Sequence, residues 1–142
     1  MKLELKSLNK LVAMTILSAS SLQASAFQDA PKQAPPPKIE ILEKFKLHHA
    51  PKTDVAIRRF TYAGGWKAPT HYHNSDLFIY IMEGSFEVTM EHTGRVVYPA
   101  GDAMRMAPET VMDARNASES EQLILVVFQV GAVDAPFVVP VK

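Results

Sequence analysis

Two imidazoles one residue apart, His71 and His73, stand in the run Gly65-Trp-Lys-Ala-Pro-Thr-His71-Tyr-His73. On a β-strand the side chains of residues i and i+2 leave the same face, so two rings spaced this way can converge on one point. Neutral imidazole is among the commonest metal ligands in proteins. An exposed strand face with two incidental histidines has the same spacing, so the pair gains meaning only from its surroundings. The chain has no cysteine. It therefore forms no disulfide, and any metal site must use His, Met or carboxylates. No nucleophile triad, phosphate-binding loop or pair of acid–base carboxylates stands out.

The elements that would carry these rings are strands. From about residue 39 onward short apolar runs alternate with turn signals, and no window sustains a helical period. The pattern predicts strands at 39–46, 53–62, 69–74, 77–82, 85–91, 94–98, 102–106, 110–115 and 122–130, separated by Gly- and Pro-bearing turns. Many short strands of this kind build an all-β barrel or sandwich. Alternation then assigns faces. Phe86, Val88 and Met90 share one face, with Glu87, Thr89 and Glu91 left for solvent. Met104 and Met106 oppose Arg105, and Met112 and Ala114 oppose Asp113 and Arg115. Met90, Met104 and Met106 read as core fillers, since a flexible thioether suits irregular gaps.

Two stretches, in order and at sensible distance, resemble the paired motifs of the cupin family. The first is Gly65, five residues, His71-Tyr-His73 and then Gly84. The second is Gly101-Asp-Ala-Met-Arg-Met-Ala107-Pro-Glu109-Thr-Val-Met112-Asp-Ala-Arg-Asn116. The resemblance covers about residues 53–130 and implies a single cupin barrel, a double-stranded β-helix of jelly-roll type. In that family two His and a Glu of the first motif and a His of the second bind one divalent metal inside the barrel. Carried over residue by residue, His71 and His73 remain, Leu77 stands at the carboxylate position and Met112 at the third imidazole. The second motif's Pro and second Gly positions hold Ala107 and Glu109. The same alignment points Leu77, Ile79 and Ile81 inward.

These replacements change which metal suits the site. Losing a carboxylate and gaining a thioether disfavours oxygen-preferring ions and favours copper, Cu(I) above Cu(II). The candidate ligands are His71, His73 and Met112, with a transition metal ion as cofactor. Met112 can equally be core. Asp76 and Asp113 each lie one residue from a family ligand position, which on a strand is the opposite face. His92 falls in a hairpin turn, only one of His48 and His49 could face inward, and Trp66 belongs at the barrel rim or mouth. Asn116-Ala-Ser118 fits a glycosylation sequon but reads as incidental.

The remainder of the chain bounds the functional classes. Lys2, Lys6 and Lys10 precede an uncharged stretch from Leu11 to Ala26 that ends in the small-x-small signature Ala24-Ser-Ala26. This predicts a secretory signal peptide over 1–26, a Pro-rich tether over 27–38 and a barrel domain over 39–142. Sixteen mostly small and polar residues span a membrane poorly, so a periplasmic or secreted protein, free of the membrane after cleavage, is expected. Removing Lys2, Glu4, Lys6 and Lys10 leaves 12 basic and 14 acidic residues, net −2, with no electrostatic footprint for nucleic acid. The expected partners are a metal ion, a small molecule or both, and the resemblance suggests a homodimer. Alternatives are a metal-free barrel binding an apolar small molecule, and a metal-dependent enzyme of dioxygenase or isomerase type using a ligand not visible in the motifs.

Overall fold

Among the described residues, alternation along ten strands builds two five-stranded sheets. The computed structural model describes residues 33–141. The expected signal segment and the first part of the tether lie outside them. The strands are β1 (Lys38–Leu47), β2 (Ala50–Tyr62), β3 (His71–Tyr72), β4 (Asp76–Glu83), β5 (Ser85–Met90), β6 (Gly94–Pro99), β7 (Ala103–Met106), β8 (Met112–Asn116), β9 (Leu123–Ala132) and β10 (Val139–Pro140). The first sheet runs β1-β2-β9-β4-β7 and the second β10-β3-β8-β5-β6. Every pairing is antiparallel.

The core fills the space between the inward faces. Phe60, Tyr62, Leu77, Ile79, Ile81, Leu123, Leu125 and Val127 come from the first sheet, and Phe86, Val88, Met112 and Ala114 from the second. The β4 expectation holds in detail: Leu77, Ile79 and Ile81 are buried, while Phe78, Tyr80 and Met82 between them are exposed. Met104 and Met106 are buried core residues, as predicted, and Met90 packs half-buried against the core cluster.

Three expectations need correction. The strand predicted at 69–74 shrinks to His71–Tyr72. Pro69 has no N–H to give a ladder, and β3 meets β8 only at His71↔Met112. A tenth strand closes the second sheet, with Val139 opposite Tyr72 and Pro140 opposite His71. Glu87 points outward as alternation requires, yet it is buried at 5% exposure. Arg115 and Arg95 cover both its oxygens at 2.6–2.9 Å.

The β4–β5 turn depends on Gly84, whose φ is +77° and whose missing Cβ would sit 2.5 Å from the Gln122 carbonyl oxygen. Only glycine combines that backbone geometry with that clearance.

Candidate metal and ligand site in the barrel

Short β3 and the loop after it bring both histidines into the barrel, His71 at 6% exposure and His73 at 3%. Their rings meet edge to face at 5.0 Å between centroids. His71 Nδ1 lies 2.7 Å from the Pro69 carbonyl oxygen, and His73 Nδ1 bonds the Phe137 carbonyl. A carbonyl can only accept, so each neutral ring must donate from Nδ1 and keep its lone pair on Nε2. Burial pushes the His73 pKa down, His71 adds to that, and the Phe137 carbonyl partly opposes it. Backbone partners that fix the tautomer in this way are what a metal-ligating imidazole requires.

Three local devices hold these rings. Asn116 at the end of β8 is 1% exposed. Its amide nitrogen donates to the Ala63 and Glu121 carbonyls, and its amide oxygen accepts from Ser118 N–H. With both amide hydrogens used inside the fold, Asn116 is structural, in line with the incidental reading of the sequon. It pins the loop that leads into β3, together with Asn116 N–H to Trp66 O and Ala68 N–H to Ala114 O.

The second device is the turn before β8. Glu109 has φ +63°, the left-handed region that favours glycine, and it stands at the family's second Gly position. Its N–H donates to the His73 carbonyl at 2.8 Å. The third is the C-terminal segment. Gln129 reaches Ser75, Ala135 O and Pro136 O through its amide nitrogen and accepts from Arg58 at 2.6 Å. This anchors Phe137, whose ring stacks on Phe60 at 4.9 Å and contacts His73 at 5.0 Å. Phe137, Gln129 and Arg58 carry no family-motif signal, so sequence reasoning missed them.

A cavity of about 320 Å³ opens between the sheets and is lined by His71, His73 and Met112 together with Leu77, Phe60, Tyr62, Trp66 and Phe137. All three candidate ligands therefore share one chamber. Of the four methionines assigned inward, Met112 alone lines it. Trp66 packs on Tyr62 at 3.9 Å between ring centroids. Burial raises the Tyr62 hydroxyl pKa, so the group stays protonated. The other imidazoles are elsewhere: His48 and His49 are both exposed in the β1–β2 turn, so neither turns inward, and His92 is exposed in the β5–β6 turn.

The donor set fits a soft ion and not a hard divalent one. Leu77 is 1% exposed and forms apolar wall where a carboxylate would be needed. Asp76 faces outward and pairs with Arg105 at 2.6 Å, and Asp113 is exposed and accepts from Thr70. Among the described residues no group of three or more His, Cys, Asp or Glu side chains gathers at one point. What remains is two Nε2 atoms and one thioether, with no ligand charge.

Comparison with known proteins agrees with this fold. No curated protein matches the chain. A cupin-like protein from Thermotoga maritima superposes with TM-score 0.59 at 13% identity, covering 75% of this chain and 76% of that one. An RmlC-like cupin from Methanocaldococcus jannaschii gives 0.55 at 21%, covering 73% and 88%. DMSP lyase DddQ from Ruegeria pomeroyi gives 0.54 at 19%, covering 61% of this chain, which spans 42% of the lyase. At these identities the likeness is one of fold. The Cupin domain family itself matches residues 58–128, half of the chain and the region that holds both motifs, and the chain belongs to the cupin family.

Proposed function

We propose that this protein is an exported cupin that binds one soft transition-metal ion, copper(I) foremost, through His71 Nε2, His73 Nε2 and the Met112 thioether. Cupin domains commonly bind transition metals. One observation carries the finer reading: both rings commit Nδ1 to a backbone carbonyl and keep Nε2 for the cavity that both line. A neutral donor set suits a monovalent ion. A divalent one would keep two uncompensated charges among apolar walls, which is costly.

Export is supported by the basic start and the Ala24-Ser-Ala26 signature. Intact mass of the exported protein should correspond to a chain beginning at Phe27, and a mass that includes residues 1–26 would contradict it. The double change His71→Ala, His73→Ala should abolish stoichiometric copper binding and leave a folded β protein, because the core comes from the aliphatic strands. Full loading of that variant, read by elemental analysis after dialysis, would remove both histidines from the site.

The size of the chamber favours a second occupant. About 320 Å³ walled by Phe60, Tyr62, Trp66 and Phe137 far exceeds one ion and suits an apolar small molecule, with or without metal. Trp66 is the chain's single tryptophan, so its fluorescence reports occupancy directly. A dioxygenase or isomerase of the two-His-one-carboxylate kind finds no support in the donors, for want of the carboxylate.

A further inference from the structure

The chamber has a mouth, and exposure marks its rim. Of the residues that line it, Ile39, Lys67, Pro69, Thr70, Val138 and Pro140 are exposed, whereas His71, His73 and Met112 are buried. The Pro-rich tether passes this rim. Pro37 lines the chamber beside Ile39, and just outside it residues 33–37 face residues 64–67 and Glu119 across a cleft of about 1000 Å³. Pro37, Trp66 and Lys67 line both spaces and form the threshold between them.

We propose that residues 33–37 are a hinged strap that closes on Trp66 and covers the mouth of the chamber. Conformation is the first argument. Pro35-Pro36-Pro37 favours the polyproline II helix, which turns once every three residues. Ala34 and Pro37, three apart, are half-buried, and Gln33, Pro35 and Pro36 are exposed, so one side of that helix is turned to the barrel. Such a segment is stiff before it docks and loses little entropy in docking. Aromatic side chains are what polyproline docks on. The Trp66 ring, packed on Tyr62 at 3.9 Å between centroids, lines the cleft that the strap faces.

Attachment is the second argument. Three consecutive prolines offer no N–H, and among the described residues no backbone hydrogen bond ties 33–37 to the barrel. The ladder begins at Lys38, opposite Thr61. The strap can therefore lift about Lys38 without breaking a strand. The rim beneath it is fixed: Gly65 N–H donates to Ser118 O, Trp66 N–H to Ala63 O and Asn116 N–H to Trp66 O. A hinged segment over a fixed ring gates what lies below. It governs the rate at which an occupant exchanges more than the strength with which it is held, because opening speeds entry and exit alike.

The chain's single tryptophan makes closure measurable. Pro35→Gly, Pro36→Gly and Pro37→Gly, made together in the exported chain, replace a stiff strap with a flexible one. Acrylamide should then quench Trp66 about twofold more strongly, and bound Cu(I) should pass to an excess of chelator about tenfold faster, with equilibrium affinity moved far less. Far-UV circular dichroism should be unchanged, because none of the three prolines belongs to the core cluster. The converse variant holds the strap shut. The chain has no cysteine of its own, so Ala34→Cys and Glu119→Cys, which both line the cleft, can be joined within one chain by a short bismaleimide. That link should slow Cu(I) transfer about tenfold below wild type. Equal quenching and equal transfer rates in wild type and the triple variant would overturn the strap, as would transfer that ignores the cross-link. The transfer readout rests on the copper reading, and the quenching readout does not. A wild type that binds no Cu(I) would contradict that reading alone, and Trp66 quenching would then decide the strap.

Discussion

The two sheets contribute unlike walls to one cavity. The second sheet brings His71 and Met112 into cross-strand register, and His73 follows directly after its strand β3. The first sheet answers with Leu77, Ile79, Phe60, Leu125 and Val127, hydrocarbon throughout apart from the Tyr62 hydroxyl. Outside, the first sheet shows the exposed rings of Phe45, Phe78, Tyr80 and Phe128 beside ion pairs such as Arg59–Glu40 and Arg105–Asp76, and the second holds Glu87 between Arg95 and Arg115. Donor chemistry is thus concentrated on one wall, and the opposite wall is almost wholly hydrocarbon.

The largest effect should come from making the walls alike. Leu77→Glu places a carboxylate in the apolar wall and should cost about 3 kcal/mol or more without metal, seen as a lower urea midpoint. Zinc should restore part of that loss. Combined with Met112→His, the change should raise Zn(II) or Mn(II) affinity and lower Cu(I) affinity. Failure of zinc to stabilise the double variant would mean that these positions do not converge.

A smaller effect should separate the outer faces. Glu87→Gln removes the charge between Arg115 and Arg95 and should cost about 1–2 kcal/mol. The Arg115 hydrogen bonds, and then those of Arg95, hold the Glu87 carboxyl below its usual range of about 4.5. Its contribution is therefore complete above the pH where the unfolded chain's glutamate titrates and is lost as pH falls below about 4.5 toward the native value. The variant should show a shallower loss of stability over that acid range, and equal slopes would contradict the pairing.

The smallest effect lies at the turn that holds His73. Glu109→Gly relieves a left-handed conformation and should stabilise by about 1 kcal/mol, read as a rise in the thermal midpoint with no loss of copper affinity. Destabilisation would show that the glutamate side chain matters more than its backbone.

Strand positions and inward faces were legible because each depends on local alternation. Leu77, Ile79 and Ile81 behave as their period says, and the family motifs located His71, His73 and Met112 in one chamber. Three features were not legible, each for want of local information. Glu87 sits on the solvent face by period, and only the arrival of Arg95 and Arg115 buries it. Phe137 and Gln129 act on His73 through a return of the chain from 64 and 56 residues away, a distance at which periodicity carries nothing. The outer patch of the first sheet was hidden because Phe78 and Tyr80 alternate with core residues and read as strand propensity, while their neighbour Phe128 comes from β9.

The most direct test is competition for Cu(I) against a chromogenic chelator, comparing wild type with Met112→Leu. The substitution keeps apolar volume and removes only the sulfur. The account predicts one Cu(I) per chain in the wild type and a loss of roughly 10-fold or more in affinity for the variant, about 1.4 kcal/mol, with unfolding stability little changed. Equal Cu(I) affinity in the two proteins would contradict thioether ligation and return the chamber to an apolar guest.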